Sequence, residues 1–170
     1  MKYGNQIASK IRSNKFRYDQ IEKVTKVPWW FVGCLHQMEA TLSFAKHLHN
    51  GDPLTARTKR VPAGRPVLGN PPFSWETSAI DAIKLKKLDQ VTDWSIEHVL
   101  YLIEGFNGYG YRQYHPTVKT PYIWSMTNNY TKGKYVADNK YDPEAVSQQC
   151  GVACFLKALD IFTPTGELKQ

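Results

Sequence analysis

Eight prolines and glycines interrupt the chain between Phe44 and Phe73, and this interruption constrains the fold more than any other feature. Proline lacks an amide hydrogen and glycine weakens helices, so no long helix fits this range. We predict a twisted hairpin or an ordered loop over 44–73. A loop of this length in a compact domain usually has a function. The eight residues are Gly51, Pro53, Pro62, Gly64, Pro66, Gly69, Pro71 and Pro72.

Helical patterns fill much of the remaining chain, because apolar residues recur there at helical spacing. The segment over about 95–106 is apolar around much of its circumference, which predicts a central buried helix. The predicted helices cover 5–24, a segment from Pro28 to about Glu39, a segment capped by Ser74, about 95–106, and a segment capped by Asp142 with Pro143 at its first position that runs to about Leu159.

We therefore predict one mostly α domain over 1–170, with an N-terminal helix within 1–27 and a hairpin or loop lobe at 44–73. The hydrophobic share of 42% and the charged share of 22% are typical of globular proteins. A chain of 170 residues is long enough to bury a real core.

Charge and cysteine content narrow the function classes. The net charge of +7 favours approach to polyanions such as nucleic acid, anionic lipid or cell wall, and does not choose among them. The three cysteines contain no Cys-x-x-Cys pair. No run of about 18 apolar residues is present, so we expect no membrane span. The segment 1–10 lacks the apolar stretch of a signal peptide, so we expect synthesis in the cytoplasm.

Glu39 is the best candidate for a catalytic acid. It closes a strongly apolar helical segment and opens into a polar loop, and apolar surroundings keep a carboxyl protonated. Glycoside hydrolysis also needs a second carboxylate, for which Asp52 is the candidate. Thr55 or Thr58 could hold a water near the sugar. The plain alternatives are a solvated glutamate and an aspartate that only forms a turn before proline.

Three histidines lie near Glu39 in the sequence and invite a metal site. His36, His47 and His49 surround it, but the zinc-peptidase pattern His-Glu-x-x-His is absent, so we expect no metal. His36 either forms hydrogen bonds inside the fold or orients Glu39. The residues predicted to contact substrate in this region are His36, His49, Asn50 and Thr55.

A second cluster combines aromatic rings with asparagines. Rings stack on the apolar faces of sugars, and side-chain amides pair with hydroxyl and acetamido groups. The alternative is a set of rings that cap a small core, with the asparagines in turns. The candidate substrate-binding residues here are Asn107, Tyr109, Tyr111, Tyr122, Trp124 and Asn128.

These residues together resemble the lysozyme-like superfamily. A glutamate that ends a buried helix precedes a segment similar to the Ala-Tyr-Asn-Ala-Gly motif of goose-type lysozymes and lytic transglycosylases, with Phe106 and Asn107 at its Tyr and Asn. More closely, the chain is similar to a bacterial and phage-associated group of lysozymes. The stretches that carry this likeness are 36–40, 48–58, 61–66, the Trp124 region, 134–138 and 142–144.

The resemblance implies a mostly α fold in two lobes, with a small hairpin or loop lobe beside a sugar-binding cleft. It implies cleavage of the β-1,4 bond from N-acetylmuramic acid to N-acetylglucosamine, with Glu39 as general acid. The Gly-Leu-Met-Gln segment of transglycosylases is missing, and Ala40 replaces the serine after their glutamate. With Asp52 also at hand, hydrolysis is favoured over intramolecular transfer.

Several alternatives stay open. A lytic transglycosylase or a chitinase would keep the fold, and a non-catalytic glycan-binding module would keep only the affinity. Nucleic-acid binding rests on net charge alone, and no recognised module supports it. We expect a monomer without cofactor that acts on bacterial peptidoglycan. Without a signal peptide, it would reach the wall through a phage holin or as part of a phage or secretion particle.

Overall fold

Helices dominate residues 2–169, which are the residues that the computed structural model describes. The prediction of a mostly α protein is confirmed, and the one sheet among these residues is a two-stranded antiparallel pair. A short 3₁₀ turn, Leu88–Gln90, follows the fourth helix. The elements are α1 (Lys2–Ser13), α2 (Lys15–Thr25), α3 (Trp29–Ala40), α4 (Trp75–Leu85), α5 (Ile96–Asn107), α6 (Gly110–Tyr114), α7 (Pro121–Trp124), β1 (Lys134–Ala137), β2 (Lys140–Asp142) and α8 (Val152–Ala158).

The described residues fall into two compact units. The N-terminal unit comprises 10–92, and the C-terminal unit comprises 2–9 together with 93–169. In the N-terminal unit α2 packs against α3 and α4, and in the C-terminal unit α7 packs against α5 and α8. The single domain over 1–170 stays a prediction.

The single helix expected over 5–24 is in fact two helices, α1 and α2, separated at Asn14. The side-chain amide of Asn14 donates to the carbonyl of Lys10 at 2.8 Å, and the backbone amide of Arg17 donates to the carbonyl of Asn14 at 3.0 Å. Asparagine side chains compete in this way with the backbone ladder of a helix. The helical periodicity continues across the break, which is why the pattern alone did not reveal it.

Helix α3 is the most deeply packed helix of the N-terminal unit, with nine buried residues out of 12. The carbonyl of Pro28 accepts from the amides of Phe31 and Val32, so the predicted proline is the N-cap of the helix, whose first residue is Trp29. Gly33 allows the close approach of α1 and α2: a Cβ there would lie 2.5 Å from Cγ2 of Ile11 and 3.4 Å from Cε2 of Tyr18. Any larger residue forces a neighbour to move.

Helices α4 and α5 lie where the sequence places them. The hydroxyl of Ser74 caps α4 by accepting from the amide of Thr77 at 3.1 Å. The expectation that α5 is the central buried helix is wrong, because only Val99, Ile103 and Glu104 of it are buried. Its remaining apolar residues are partly exposed or lie against surface cavities, which a pattern of hydrophobicity does not distinguish from a core.

The segment 44–73 is an ordered loop, one of the two forms predicted for it. The amide of His47 donates to the carbonyl of Asp52 at 2.7 Å, and Lys46 and Pro53 form an isolated β-bridge. Farther along, the amide of Phe73 donates to the carbonyl of Leu54 at 2.9 Å. Backbone hydrogen bonds therefore hold this loop, although it contains no strand pair.

The hairpin of the protein lies later in the chain, where β1 and β2 pair. The helix expected to start at Asp142 is wrong: this residue ends β2, and its carboxylate accepts from the amides of Glu144 and Ala145 at 2.8 and 3.2 Å. These bonds form a local turn rather than a helix cap. The last helix, α8, begins only at Val152.

None of the helices within residues 2–169 combines the length and the apolar composition that a bilayer crossing requires.

Replacing Gly33 with alanine tests the packing of α3. We expect Gly33→Ala to lower the free energy of unfolding by about 1–3 kcal/mol, because Ile11 must move to admit the methyl group. Urea unfolding measures this. Gly110→Ala is the matched control, since its Cβ would meet nothing closer than the Tyr135 hydroxyl at 3.9 Å. Equal stability of the two variants would contradict this account.

Candidate functional site

Glu39 lies on the last turn of α3, at the boundary between core and solvent. It is partly exposed, whereas its neighbours Met38 and Ala40 are buried, with 8% and 2% of their surface exposed. The helix ends directly after it, because Thr41 and Leu42 both adopt left-handed backbone conformations, with φ of 52° and 59°. Glu39 is thus a partly exposed residue at the end of a largely buried helix, directly before a polar loop.

The loop after α3 packs back onto the end of that helix at Gly51. A Cβ at Gly51 would lie 2.7 Å from the carbonyl oxygen of Glu39, and the residue has a φ of +75°. Both the space and the backbone conformation therefore require glycine. The amide of Gly51 also donates to the carbonyl of His47 at 2.9 Å. Asp52 is the next residue in the chain after this contact.

The carboxylate of Asp52 is almost fully occupied by hydrogen bonds. One oxygen accepts from the amides of Lys59 and Arg60 at 2.8 and 3.0 Å, and the other accepts from Nε of Arg60 at 2.6 Å. Burial raises its pKa, but the two backbone hydrogen bonds and the guanidinium outweigh burial and lower the pKa to about 2. Asp52 is therefore ionised at neutral pH, and its oxygens hold the loop over 50–60 closed.

The neighbouring polar residues serve the same loop. The hydroxyl of Thr58 is buried, donates to the carbonyl of Pro62 and accepts from the amide of Arg65 at 2.9 Å. The side-chain amide of Asn50 donates to the carbonyl of Arg60 at 3.0 Å. Thr55, by contrast, is exposed. Of the predicted residues in this loop, Thr55 is the one whose side chain faces solvent.

His36 is a core residue. It is fully buried, its Nδ1 lies 3.0 Å from the hydroxyl of Tyr18, and its ring contacts both Phe44 and Trp75 with centroid distances of 4.6 Å to each. Burial lowers its pKa to about 4, so the ring is neutral at neutral pH. Of the two roles left open for His36, its position within this aromatic cluster supports hydrogen bonding inside the fold.

His47 joins the loop to α4. Its Nε2 donates to the carbonyl of Ala56 at 2.8 Å, so its Nδ1 is the acceptor for the hydroxyl of Ser78, also at 2.8 Å. Both side chains are fully buried. No pattern in the sequence points to Ser78, because its partner lies 31 residues away.

His49 makes a second link to the same helix. Its Nε2 lies 2.7 Å from a carboxylate oxygen of Asp81, and Arg65 approaches the same carboxylate at 2.7 and 2.9 Å. Burial lowers the pKa of His49, and its hydrogen bond and charge interaction with Asp81 oppose that shift. Ser78, His49 and Asp81 have the residue types of a hydrolase triad, but Ser78 is inaccessible, so the three form an internal network.

No group of three or more His, Cys, Asp or Glu side chains within residues 2–169 is arranged to hold a metal ion.

Three predicted substrate-binding residues line one polar groove of the C-terminal unit. Asn107, Tyr111 and Tyr122 contribute to a cavity of about 470 Å³, together with residues of the hairpin such as Lys134 and Asp138. The hydroxyl of Tyr111 accepts from the amide of Tyr135, which fixes that ring against β1. Rings, amides and charges thus meet in one concave surface, as in many ligand sites.

The other predicted residues of this unit lie outside the lining of that groove. Tyr109 stacks on Tyr101 with a centroid distance of 4.8 Å, and its hydroxyl donates to the carbonyl of Tyr101 at 3.2 Å. Trp124 lines a different cavity, and Asn128 is exposed. The aromatic and asparagine residues predicted to bind substrate are therefore distributed over several separate surfaces of this unit.

Glu104 of this unit is a buried carboxylate that was not among the predicted residues. Glu104 is 4% exposed and accepts from Arg112 at 2.8 Å from Nε and 2.7 Å from Nη2. The pair joins α5 to α6 across the glycine-rich turn. The signal was present in the sequence, since an acidic residue within a helix pattern and a basic residue eight positions later flank that turn.

Asp52→Asn tests the role of this carboxylate in the loop. The pKa of Asp52 falls from 3.8 to about 2 on folding, so its stabilising effect is present above pH 4 and is lost as the pH falls through about 2. We expect the free energy of unfolding of the variant to be about 1.5–3 kcal/mol lower near neutral pH. The variant should also lack the loss of stability that protonation of Asp52 causes in acid. Thermal unfolding between pH 6 and pH 2 measures both effects.

Asp19→Asn is the control for that experiment. Asp19 forms an exposed ion pair with Lys15 one helical turn away, and such pairs contribute little to stability. If the two variants have the same stability and the same pH dependence, Asp52 does not hold the loop.

The chain was compared with known proteins at three levels. No protein-family model, no curated protein and no solved structure matches it. The likeness to the lysozyme-like superfamily therefore stays a prediction made from the residues quoted above.

Proposed function

We propose that this chain is a peptidoglycan hydrolase of the lysozyme type, with Glu39 as the general acid. The observation that carries the proposal is the position of Glu39, partly exposed on the last turn of α3 between buried neighbours and beside a polar loop packed on that turn. Protonated catalytic carboxyls occur at such boundaries, because apolar surface disfavours their charged form. The predicted sugar-binding cleft is part of this proposal.

Asp52 takes an electrostatic role in the proposed reaction. Glu39 donates a proton to the glycosidic oxygen as the bond to the anomeric carbon breaks, and positive charge develops on the sugar ring. Asp52 stays ionised down to a pH of about 2, so it does not carry protons at neutral pH, and its proposed part is to stabilise that charge with the portion of its own charge that Arg60 does not offset. The hydroxyl of Thr58 is already hydrogen-bonded within the loop, so we assign the exposed Thr55 to position the attacking water.

A second candidate function is a glycan-binding module without catalysis. The polar groove of the C-terminal unit favours it, because the partly exposed ring of Tyr122 and the amide of Asn107 line one cavity. This groove contains neither Glu39 nor Asp52 among its lining residues. Glycan binding could therefore persist when the proposed acid is removed.

The proposal includes the partner and the place of action. Bacterial peptidoglycan is the proposed substrate, the proposed state is a monomer, and the proposed route to the wall is release through a holin or carriage on a phage or secretion particle. The net charge of +7 supports adhesion to an anionic wall.

Loss of turbidity of purified peptidoglycan tests the role of Glu39. We expect Glu39→Gln to reduce clearance by about 10²–10⁴-fold, because the amide cannot donate an acidic proton. Glu144→Gln is the matched control, since Glu144 is exposed and its carboxylate forms an ion pair with the surface residue Lys132. Mass analysis of the released muropeptides then identifies reducing ends or anhydro ends. Anhydro ends would mean that the chain is a lytic transglycosylase and not a hydrolase.

Other outcomes of this assay are equally informative. If Glu39→Gln clears the wall as well as the wild type, Glu39 is not the acid and the proposal fails. If neither protein clears the wall but both bind it, the chain is a glycan-binding module. Turnover of chitin oligomers without murein clearance would make it a chitinase.

A blocking substitution tests the polar groove. Ala137 lines it, so Ala137→Phe should fill part of the 470 Å³ and weaken binding of soluble muropeptides at least about tenfold, while the free energy of unfolding changes little. Calorimetric titration measures the affinity. Ala153→Phe, which lies on another cavity, is the control and should bind muropeptides normally. Unchanged binding by Ala137→Phe would remove this groove from the site.

A further inference from the structure

The C-terminal unit contains a second cavity, which the proposed glycan chemistry does not use. It has a volume of about 590 Å³ and lies between α5, α8 and the C-terminal segment. Ile96 and Leu100 of α5 form one wall, Leu156 of α8 forms another, and Trp124 and Phe162 complete the apolar lining. Cavities of about 300–1,000 Å³ with mostly apolar walls are typical of small-molecule sites.

The C-terminal segment is an ordered wall of this cavity. The amide of Thr163 donates to the carbonyl of Glu167 at 2.7 Å, and the amide of Lys169 donates to the carbonyl of Ile161 at 2.9 Å, so the chain folds back as a hairpin-like turn. A Cβ at Gly166 would lie 2.7 Å from Cγ2 of Ile96. The turn therefore packs directly on α5 and forms one side of the cavity.

The charges on the lining favour an anion. The charged lining side chains are Lys157, Asp160 and Lys169. Asp160 and Lys169 form an ion pair at 2.6 Å, so they largely neutralise each other. Lys157 makes no ion pair within residues 2–169, and its ammonium is the remaining charge of the lining.

We propose that this cavity binds a single-chain amphiphile, an alkyl chain with an anionic head group, with the chain against Trp124 and Leu156 and the head beside Lys157. A sugar is a poorer fit than an alkyl chain, because most of the lining side chains are apolar and offer no partners for sugar hydroxyls. The same chemistry is found in a free fatty acid and in an anionic lysophospholipid. The two sources differ in the head group alone and can be compared directly.

Calorimetric titration of the full chain with alkyl carboxylates below their micelle concentration tests the proposal. Burial of each methylene is worth about 0.8 kcal/mol, so affinity should rise about fourfold per added carbon from octanoate to dodecanoate. Dodecanoate should bind more tightly than dodecyltrimethylammonium. Lysophosphatidylglycerol with a matched chain tests the lipid source: tighter binding than dodecanoate identifies a phospholipid, and weaker binding identifies a fatty acid.

Two substitutions locate the binding. Ala153 lines the cavity, so Ala153→Phe should fill it and weaken dodecanoate binding at least about tenfold. Ala137→Phe in the polar groove should leave dodecanoate binding unchanged, the reverse of its expected effect on muropeptides. Lys157→Gln should weaken dodecanoate about threefold and leave dodecanol unaffected, because an exposed ion pair contributes little.

Quenching of tryptophan fluorescence measures the same binding independently of calorimetry. A brominated alkyl carboxylate should quench Trp124, and Trp124→Phe should remove that quenching. The proposal is overturned if no alkyl carboxylate binds, if the cationic amphiphile binds equally well, or if Ala153→Phe binds as the wild type does. It is also overturned if a second copy of the chain covers the cavity. In that case the protein is a dimer in solution, Ala153→Phe dissociates the dimer, and dodecanoate does not.

Discussion

The close contact between Gly51 and the carbonyl of Glu39 determines the arrangement of the N-terminal unit around its candidate acid. Helix α3 ends in two left-handed residues, Thr41 and Leu42, which turn the chain back across the end of the helix. The returning chain meets the end of the helix at Gly51, which has no side chain to obstruct the contact. Because the contact joins backbone to backbone, the loop position depends little on side-chain rotamers, and Asp52 is held where the turn places it.

Buried polar groups then fix the rest of this loop. His47 and His49 attach it to Ser78 and Asp81 of α4, and Asp52 closes it through backbone amides. Buried polar groups are costly unless they are paired, and each of these has a partner. Residue types that suggest catalysis in a sequence thus serve here as internal supports. The chemistry of the proposed site therefore rests mainly on Glu39, because the carboxylate of Asp52 is already bonded within the loop.

Local signals in the sequence predicted local structure well. Ser74 caps α4 as expected, and Pro28 starts α3, because both effects depend on adjacent backbone groups. The failures came from competing local bonds, at Asn14 and Asp142, whose side chains bind the backbone in ways that helical periodicity does not register. The candidate acid was predicted from the junction of an apolar helix with a polar loop. The network at Ser78 depends on contacts across some 30 residues, which spacing along the chain does not encode.

The division of the aromatic cluster follows from helix geometry. Tyr122 and Trp124 lie two residues apart in α7, and at 3.6 residues per turn their side chains leave the helix about 200° apart. Tyr122 therefore lines the polar groove while Trp124 lines the apolar cavity. Side-chain amides and tyrosine rings surround Tyr122 in the groove, whereas mostly apolar side chains surround Trp124 in the other cavity. One short helix thus separates two chemically different surfaces, which makes two kinds of ligand a more natural expectation than one extended sugar site.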